Sequence, residues 1–305
     1  MDMGVTMCGI TLETPFVLAS GILGNEHSLI KRVLDAGAAG AVTKTVFAQE
    51  RKGYPPPVYY YTESYSLNAV GLPTSGVGHL INELEQLRDQ PKPIIVSVGG
   101  FSADEYAYVT KLVSRSCASG VELNLSCPHV EGTGEEFSSS EDLVYAVVSG
   151  AVKVASGKPV FVKLPPSPEK IVGLGRASLE AGASGFTATN TVKGMAFDTE
   201  LAVPVLYNTF GGVSGKALHP LAVYCVYALR KNFPEAPIFG VGGVLDHRDA
   251  LEFFLAGADA VQIGTAVGTK GVSVFADIAR GLKLYMKRKG FRSMKEMISA
   301  FRVQR

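Results

Sequence analysis

Eight short apolar runs alternate with amphipathic helical segments along the chain, and this alternation limits the possible folds more than any other feature. The runs are apolar throughout, which is typical of parallel strands that are buried on both faces. In order they are FVLAS (16–20), AVTK (41–44), PIIVSV (93–98), GVELN (120–124), PVFVKL (159–164), GFTATN (185–190), PIFGVGG (237–243) and AVQIG (260–264). Eight such units predict an α/β fold of the TIM (β/α)₈-barrel type.

The predicted helices support the same order of elements. They are HSLIKRVLDAG (27–37), SADEYAYVTKLVSRSCASG (102–120), EDLVYAVVSGAVKVASG (141–157), EKIVGLGRASLEAG (169–182), PLAVYCVYALRKNF (220–233) and HRDALEFFLAG (247–257). Ala-Gly-Ala recurs around Gly37, Gly182 and Gly257, where glycine suits a left-handed helix cap just before a strand. A doubly wound open sheet is the alternative fold, but the chain has no G-x-G-x-x-G after its first run.

Length and composition fit a globular protein, and we expect residues 1–305 to form a single barrel domain. Hydrophobic residues make up 47% of the chain, and 29 basic residues nearly balance 28 acidic ones. Such a balance gives no long-range field that would attract nucleic acid or an anionic membrane. No apolar run reaches the length of a membrane span, so we expect a cytoplasmic protein. The four widely spaced cysteines include no C-x-x-C pair, which argues against a metal site or a disulfide framework.

Three connections are too long for simple turns between a strand and a helix. They cover residues 46–80, 125–140 and 191–216 and follow the second, fourth and sixth runs. Loops of this length are usually lids or binding loops. We expect 46–80, with its tyrosine-rich stretch, to form a hairpin over the barrel mouth, where barrel active sites lie.

The carboxyl ends of the eight runs carry a convergent set of polar residues and glycines. The set is Ala19-Ser20-Gly21, Lys44-Thr45, Ser97, Asn124, Lys163, Asn190-Thr191, Gly242-Gly243 and Gly264-Thr265. A ring with two lysines, two asparagines and no carboxylate suits an anionic, planar, hydrogen-bonding ligand better than a metal ion.

The last two glycine turns match the usual phosphate site of such barrels, where backbone N–H groups approach an oxyanion closely. A flavin mononucleotide phosphate would fit them, although tight turns alone also need glycine. Lys44 and Lys163 each close an apolar run, so each is expected to face negative charge. The alternative for both is an ordinary solvated lysine at the start of a loop.

Cys127 lies three residues after Asn124, at the start of the long loop that follows the fourth run. A thiol becomes a competent base when nearby cations stabilise its thiolate. Cys8, Cys117 and Cys225 fall in a terminal segment and in predicted helices, where a cysteine is an inert small hydrophobe.

Several motifs together resemble those of the class 1 dihydroorotate dehydrogenases. They are VTKTVFAQERKGYPPP, NAVGLPTSG, ELNLSCPHVEGTG, VKLPPS, TNTVKGMAFD, FGGVSGKALHP, IFGVGGV and AGADAVQIGTA, and they run in family order. The resemblance implies a barrel that carries FMN and oxidises dihydroorotate to orotate in de novo pyrimidine (UMP) biosynthesis. In that reaction hydride passes from C6 to flavin N5 while a cysteine takes the C5 proton.

The resemblance also implies roles for individual residues. Cys127 would be the catalytic base. The substrate would be held by Lys44, Asn68, Gly71, Leu72, Asn124, Asn190 and Thr191. FMN would be held by Ala19, Ser20, Gly21, Lys44, Thr45, Ser97, Asn124, Lys163, Ser214, Gly215, Gly242, Gly243, Gly264 and Thr265.

The cysteine base and the TNTVKGMAFD segment are similar to the NAD-linked class 1B. That class pairs its FMN subunit with a second subunit bearing FAD and a 2Fe–2S cluster, so the resemblance implies such a partner around a homodimer core or in a heterotetramer.

Three alternatives to this function remain. His129 stands where many dihydroorotate dehydrogenases have asparagine, and NLSCPH also resembles the flavin domain of dihydropyrimidine dehydrogenases, which act on uracil and thymine. Without a flavin, the chain could be a barrel aldolase or isomerase that uses Lys44 or Lys163 as a Schiff-base lysine. A barrel that binds a phosphate ligand without catalysis is the non-enzymatic form of this last possibility.

Overall fold

The computed structural model of the protein describes residues 1–125 and 137–303. Within these ranges the strands are β1 Val5–Met7, β2 Ile10–Leu12, β3 Phe16–Leu18, β4 Ala41–Val42, β5 Tyr59–Tyr61, β6 Ser66–Asn68, β7 Ile94–Val98, β8 Gly120–Asn124, β9 Val160–Leu164, β10 Gly185–Ala188, β11 Val192–Gly194, β12 Phe197–Asp198, β13 Val203–Pro204, β14 Gly211–Ser214, β15 Ile238–Val241 and β16 Ala260–Ile263. The α-helices are α1 His27–Asp35, α2 Gly76–Glu85, α3 Ala103–Ser114, α4 Glu141–Val154, α5 Ile171–Glu180, α6 His219–Asn232, α7 His247–Ala256, α8 Thr265–Lys270, α9 Val274–Lys289 and α10 Met294–Val303.

Eight parallel strands close into a barrel in the order β10-β15-β16-β3-β4-β7-β8-β9. Each corresponds to one of the eight apolar runs, and helices connect the strands around the outside. All five residues of β7, β8 and β9 are buried, as expected for strands covered on both faces. The prediction of a TIM (β/α)₈ barrel is confirmed.

The interior of the barrel is apolar at its amino-terminal end and polar above it. Val17, Val42, Ile95, Phe161 and Phe239 form the apolar part, and the β1–β2 hairpin closes it from below through Met7, Ile10 and Leu12. Glu122, Thr187 and Gln262 lie in the strands nearer the carboxyl ends, and all three are buried. The polar groups therefore lie on the side of the barrel where the strands end.

A four-stranded antiparallel sheet is built from the two long connections on the carboxyl-terminal side of the barrel. Strands β5 and β6 form the hairpin expected within 46–80, and β14 pairs with β6 on one side and β11 on the other. Residues from both connections therefore reach the same region of the molecule.

Helix ends agree with the glycine pattern but not with every predicted boundary. Gly37, Gly182 and Gly257 have φ of 111°, 95° and 105°, the left-handed conformation expected of glycine after a helix. Helix α3 ends at Ser114, before the predicted 120, so Cys117 lies in the loop that follows and not in a helix.

In the described part of the chain, no helix is long and apolar enough to cross a membrane.

Candidate active site

A cavity opens at the carboxyl ends of the barrel strands and is lined by most of the predicted site residues. Its empty space is about 1240 Å³, counted to the open mouth. That figure includes open solvent at the mouth, so the residues that line the cavity, and not its volume, indicate which ligands it can bind.

All predicted substrate residues, Lys44, Asn68, Gly71, Leu72, Asn124, Asn190 and Thr191, line this cavity. Of the predicted cofactor residues, Ala19, Ser20, Gly21, Lys44, Thr45, Asn124, Lys163, Ser214, Gly242, Gly243, Gly264 and Thr265 line it as well. Ser97 and Gly215 lie behind the lining. Ser97 is fully buried and shares a hydrogen bond of 3.0 Å with Thr45, and the carbonyl oxygen of Gly215 is packed closely against Gly243. Cys127 and His129 fall outside the described residues.

The cavity wall is held by a chain of hydrogen bonds that links the carboxyl ends of β10, β8 and β4. Asn190 Nδ2 donates to Asn124 Oδ1 at 3.0 Å, and Asn124 Nδ2 donates to Thr45 Oγ1 at 3.0 Å. The hydroxyl of Tyr106 donates to the backbone carbonyl of Asn124 at 2.5 Å, which fixes the end of β8. Asn124 is hydrogen-bonded through both its amide oxygen and its amide nitrogen, and Asn190 through its amide nitrogen. The orientation of both amides is therefore set before a ligand binds.

Of the glycines in the turns after β15 and β16, Gly243 is the one at which an added side chain would collide with backbone. Gly242 and Gly243 have φ of 145° and 67°, and a Cβ on Gly243 would lie 2.4 Å from the carbonyl oxygen of Gly215. A Cβ on Gly264 would meet only Ala19, at 3.3 Å. The hydroxyl of Thr265 donates to Ser214 Oγ at 3.2 Å and brings that side chain to the same place. Backbone N–H groups and hydroxyls at these turns are suited to an oxyanion.

Lys163 is buried at the cavity, with 6% of its surface exposed, and its charge has a partner inside the barrel. The ammonium lies 3.6 Å from Glu122 Oε1. Reading the strand ends alone missed Glu122, because it lies two residues before the end of β8. A glutamate within an otherwise apolar run was the signal that could have found it.

Three further residues at the site were not predicted from sequence. Gln262 and Tyr59 line the cavity, and the ring of Tyr59 stacks on that of Tyr61 with centroids 4.6 Å apart. Burial raises the pKa of the Tyr59 phenol, so it remains a hydrogen-bond donor at neutral pH. His219 lies behind the glycine turn with Nδ1 2.8 Å from the carbonyl oxygen of Gly242 and thereby supports that turn.

The segment after Gly215 is attached to helix α7 by an ion pair between Lys216 and Asp249. Asp249 also accepts hydrogen bonds from the backbone N–H groups of Leu245 and Asp246, at 2.8 and 3.1 Å. Burial favours the neutral acid, but the Lys216 ammonium and the two N–H groups outweigh it and lower the pKa of Asp249 below 3.8. The carboxylate therefore stabilises the folded state in its charged form.

This shift predicts how the Asp249→Asn variant depends on pH. Because the folded pKa is depressed, the stabilisation is fully present above about pH 4 and is lost as the pH falls through the folded value. We expect Asp249→Asn to be less stable than the parent at pH 7, with the difference shrinking below pH 4. Urea unfolding at pH 7, 5 and 3 measures this. The matched control is Asp277→Asn, which breaks an exposed pair with Arg280 and should change little. A gap for Asp249→Asn that is the same at all three pH values would contradict the assignment.

The three described cysteines have the properties of inert thiols. Burial raises the pKa of Cys225 to about 12, and burial also raises the pKa values of Cys8 and Cys117 above 9.0. None of the three lines the cavity. Among the described residues no group of three or more His, Cys, Asp or Glu side chains could hold a metal ion.

Comparison with known proteins shows which family the chain belongs to. The family model for dihydroorotate dehydrogenase matches residues 2–286. A relative from Pyrococcus furiosus is 42% identical over 298 residues, which is 98% of each chain. Relatives from Methanosarcina mazei and Thermoplasma volcanium are 41% and 38% identical, over 96% and 97% of this chain and 93% and 97% of their own. Each is named dihydroorotate dehydrogenase B (NAD(+)), catalytic subunit.

Fold and site together define a (β/α)₈-barrel enzyme with a polar cavity at the carboxyl ends of its strands. The chain belongs to the dihydroorotate dehydrogenase family and is an oxidoreductase. The resemblance drawn from its motifs is thereby confirmed.

Proposed function

We propose that this chain is the FMN-binding catalytic subunit of an NAD-linked dihydroorotate dehydrogenase, which oxidises dihydroorotate to orotate in pyrimidine biosynthesis. The observation that carries the proposal is the cavity itself. It brings together two lysines, the Asn124–Asn190 pair and the glycine turns of β15 and β16. The names of the relatives supply the substrate.

The residues of the cavity fit FMN in two respects. The turns at Gly243 and Gly264, with Ser214 and Thr265, offer N–H and hydroxyl donors for the phosphate. The side of the cavity formed by Ala19, Ser20, Gly21, Thr45, Asn124 and Lys163 offers donors and an ammonium for the polar edge of the flavin ring. Gln262 Oε1 is a buried acceptor without a hydrogen bond in the described part of the chain. Bound FMN would supply the acceptor for the hydride that leaves C6 of the substrate.

The remaining lining residues orient the substrate. The Lys44 ammonium would pair with the carboxylate of dihydroorotate, and the amides of Asn68, Asn124 and Asn190 would bind its ring carbonyl and N–H groups. Thr191 and the backbone of Gly71 and Leu72 complete this side. Thr191 N–H donates to Asn190 Oδ1 at 2.8 Å, which leaves the amide nitrogen of Asn190 for Asn124. A planar ring held on several edges is positioned for a proton and a hydride to leave neighbouring carbons.

In this proposal Cys127 is the base that takes the C5 proton. It follows Asn124 by three residues, and Asn124 lines the cavity. The other three cysteines, Cys8, Cys117 and Cys225, do not line the cavity.

The test of this function is turnover of the purified chain after reconstitution with FMN. We expect it to form orotate from dihydroorotate with an artificial electron acceptor and to act much more slowly on dihydrouracil. Faster turnover of dihydrouracil than of dihydroorotate would contradict dihydroorotate as the substrate and favour the dihydropyrimidine dehydrogenase alternative. A substrate adduct trapped by borohydride on Lys44 or Lys163, without flavin absorbance, would favour the aldolase alternative.

We also propose that a second subunit with FAD and a 2Fe–2S cluster carries electrons to NAD⁺, in a heterotetramer around a homodimer of this chain. The support is the catalytic-subunit name of the relatives. An exposed apolar segment around β12 and β13, with Phe197 55% and Leu201 71% exposed, suits a protein contact. The purified chain alone should then fail to reduce NAD⁺ while it still reduces the artificial acceptor. Full NAD⁺-dependent turnover by this chain alone would contradict the partner.

A further inference from the structure

Glu122 is a buried carboxylate that the proposed mechanism does not use. It lies on β8 with 1% of its surface exposed, two residues before Asn124. Interior positions of such barrels usually carry branched apolar side chains, and burial of a charged carboxylate is unfavourable unless it is paired. Its position therefore calls for an explanation in terms of its partners.

The hydrogen bonds of Glu122 all converge on one of its two oxygens. Oε2 accepts from Thr187 Oγ1 at 2.8 Å and from Gln262 Nε2 at 2.7 Å. An ionised carboxylate can only accept, so the amide nitrogen of Gln262 must face it. The other oxygen, Oε1, has no hydrogen bond within the described chain and lies 3.6 Å from the Lys163 ammonium. The network thus directs one carboxylate oxygen at the lysine.

Lys163 connects this buried group to the cavity. It lines the cavity, whereas Glu122 does not. Thr187 on β10 is paired in register with Lys163 on β9. The residue that donates a hydrogen bond to Glu122 is therefore a direct neighbour of the lysine. Because both side chains are almost fully buried, their charge pair is screened only weakly by solvent.

We propose that Glu122 is a positioning residue for Lys163. Its carboxylate holds the ammonium at the inner end of the cavity and balances its charge, so that the affinity and reduction potential of a flavin at Lys163 depend on a side chain that does not line the cavity. This inference rests on the proposed FMN role of Lys163.

The first test needs no cofactor. Glu122→Gln keeps the shape of the side chain and an oxygen for Thr187 and Gln262, but it removes the charge. In the apoprotein we expect Lys163 to react severalfold faster with acetic anhydride, because no carboxylate then holds its side chain in the ion pair. Mass spectrometry quantifies the label relative to the exposed Lys283. Thr187→Val, which removes a hydrogen bond but no charge, is the control and should stay near the parent rate.

Glu122→Asp keeps the negative charge but moves it away from Lys163 by the length of one methylene group. The labelling rate of Lys163 in this variant should therefore lie between those of the parent and of Glu122→Gln. Glu122→Asp supplies the test if Glu122→Gln does not fold. If Lys163 is labelled at the parental rate in both Glu122→Gln and Glu122→Asp, the inference is wrong. This holds whether or not the chain has the proposed function.

The second test uses protein reconstituted with FMN. In Glu122→Gln the uncompensated ammonium favours the anionic reduced flavin, so the midpoint potential of the bound flavin should rise. The same substitution in a Lys163→Gln background should have no such effect, because the lysine through which it acts is gone. An equal rise in both backgrounds would overturn the positioning role. Absence of FMN binding by the parent would instead reject the proposed function, while the labelling result would still stand.

Discussion

Replacing Gly243 with alanine should weaken FMN binding by roughly a hundredfold, equivalent to about 2.7 kcal/mol. The residue has φ of 67°, and an added Cβ would lie 2.4 Å from the backbone oxygen of Gly215, which cannot move aside as a flexible side chain could. The left-handed conformation alone costs a residue with a Cβ about 1–2 kcal/mol. The turn must therefore shift away from the position in which its N–H groups can reach a phosphate. Quenching of FMN fluorescence on titration with apoprotein measures the affinity.

Gly78→Ala is the matched control for this experiment. Gly78 lies on α2, and a Cβ there would meet no atom within 4 Å. The added methyl group displaces no atom, and alanine is a better helix former than glycine, so helix α2 should keep its structure. The control should therefore bind FMN as the parent does. Parental affinity in Gly243→Ala would show that the turn does not hold the phosphate.

The second large effect is expected at Cys127. Cys127→Ala should leave FMN bound and slow flavin reduction by dihydroorotate by about 10²–10⁴-fold near neutral pH, the usual contribution of a positioned general base. Proton removal from C5 has then lost its acceptor, while the hydrogen bonds that hold the substrate remain. Anaerobic stopped-flow absorbance of the flavin measures the rate.

Cys8→Ala provides the control for loss of a thiol. Cys8 is exposed in the turn between β1 and β2 at the opposite end of the barrel, and it should be replaceable without effect on the rate. An unchanged rate in Cys127→Ala would remove the cysteine from the mechanism.

The barrel could be predicted from the sequence because its strands are continuous apolar runs separated by clear helix ends. Even so, some ends were placed too far along the chain. The second run was predicted as 41–44, but β4 ends at Val42, and the backbone N–H of Lys44 bonds to Gly24 instead of a neighbouring strand. The β1–β2 hairpin was missed, since strands of three residues give no measurable period.

The sheet over the barrel mouth shows a second limit. The β5–β6 hairpin was predicted because its strands are close in sequence. Pairing of β6 with β14 joins residues more than 140 positions apart, such as Ser66 and Ser214, and no local pattern reports that. Side chains that depend on this sheet, including Ser214, entered the prediction through family motifs alone.

The residues that line the cavity were predicted best where they lie at strand ends. Lys44, Asn124, Lys163 and Asn190 all line the cavity, as that reasoning required. Glu122 and Gln262 were missed because they lie two residues and one residue before the ends of their strands, within runs that were interpreted as apolar throughout. Lys163 was expected to face negative charge, and part of that charge is Glu122 within the protein.

The central claim, oxidation of dihydroorotate by flavin bound in this cavity, is tested most directly by an anaerobic titration of the FMN-reconstituted chain. We expect one equivalent of dihydroorotate to bleach the flavin absorbance and to yield one equivalent of orotate, with dihydrouracil far slower. A flavin that stays oxidised in excess dihydroorotate would contradict the account.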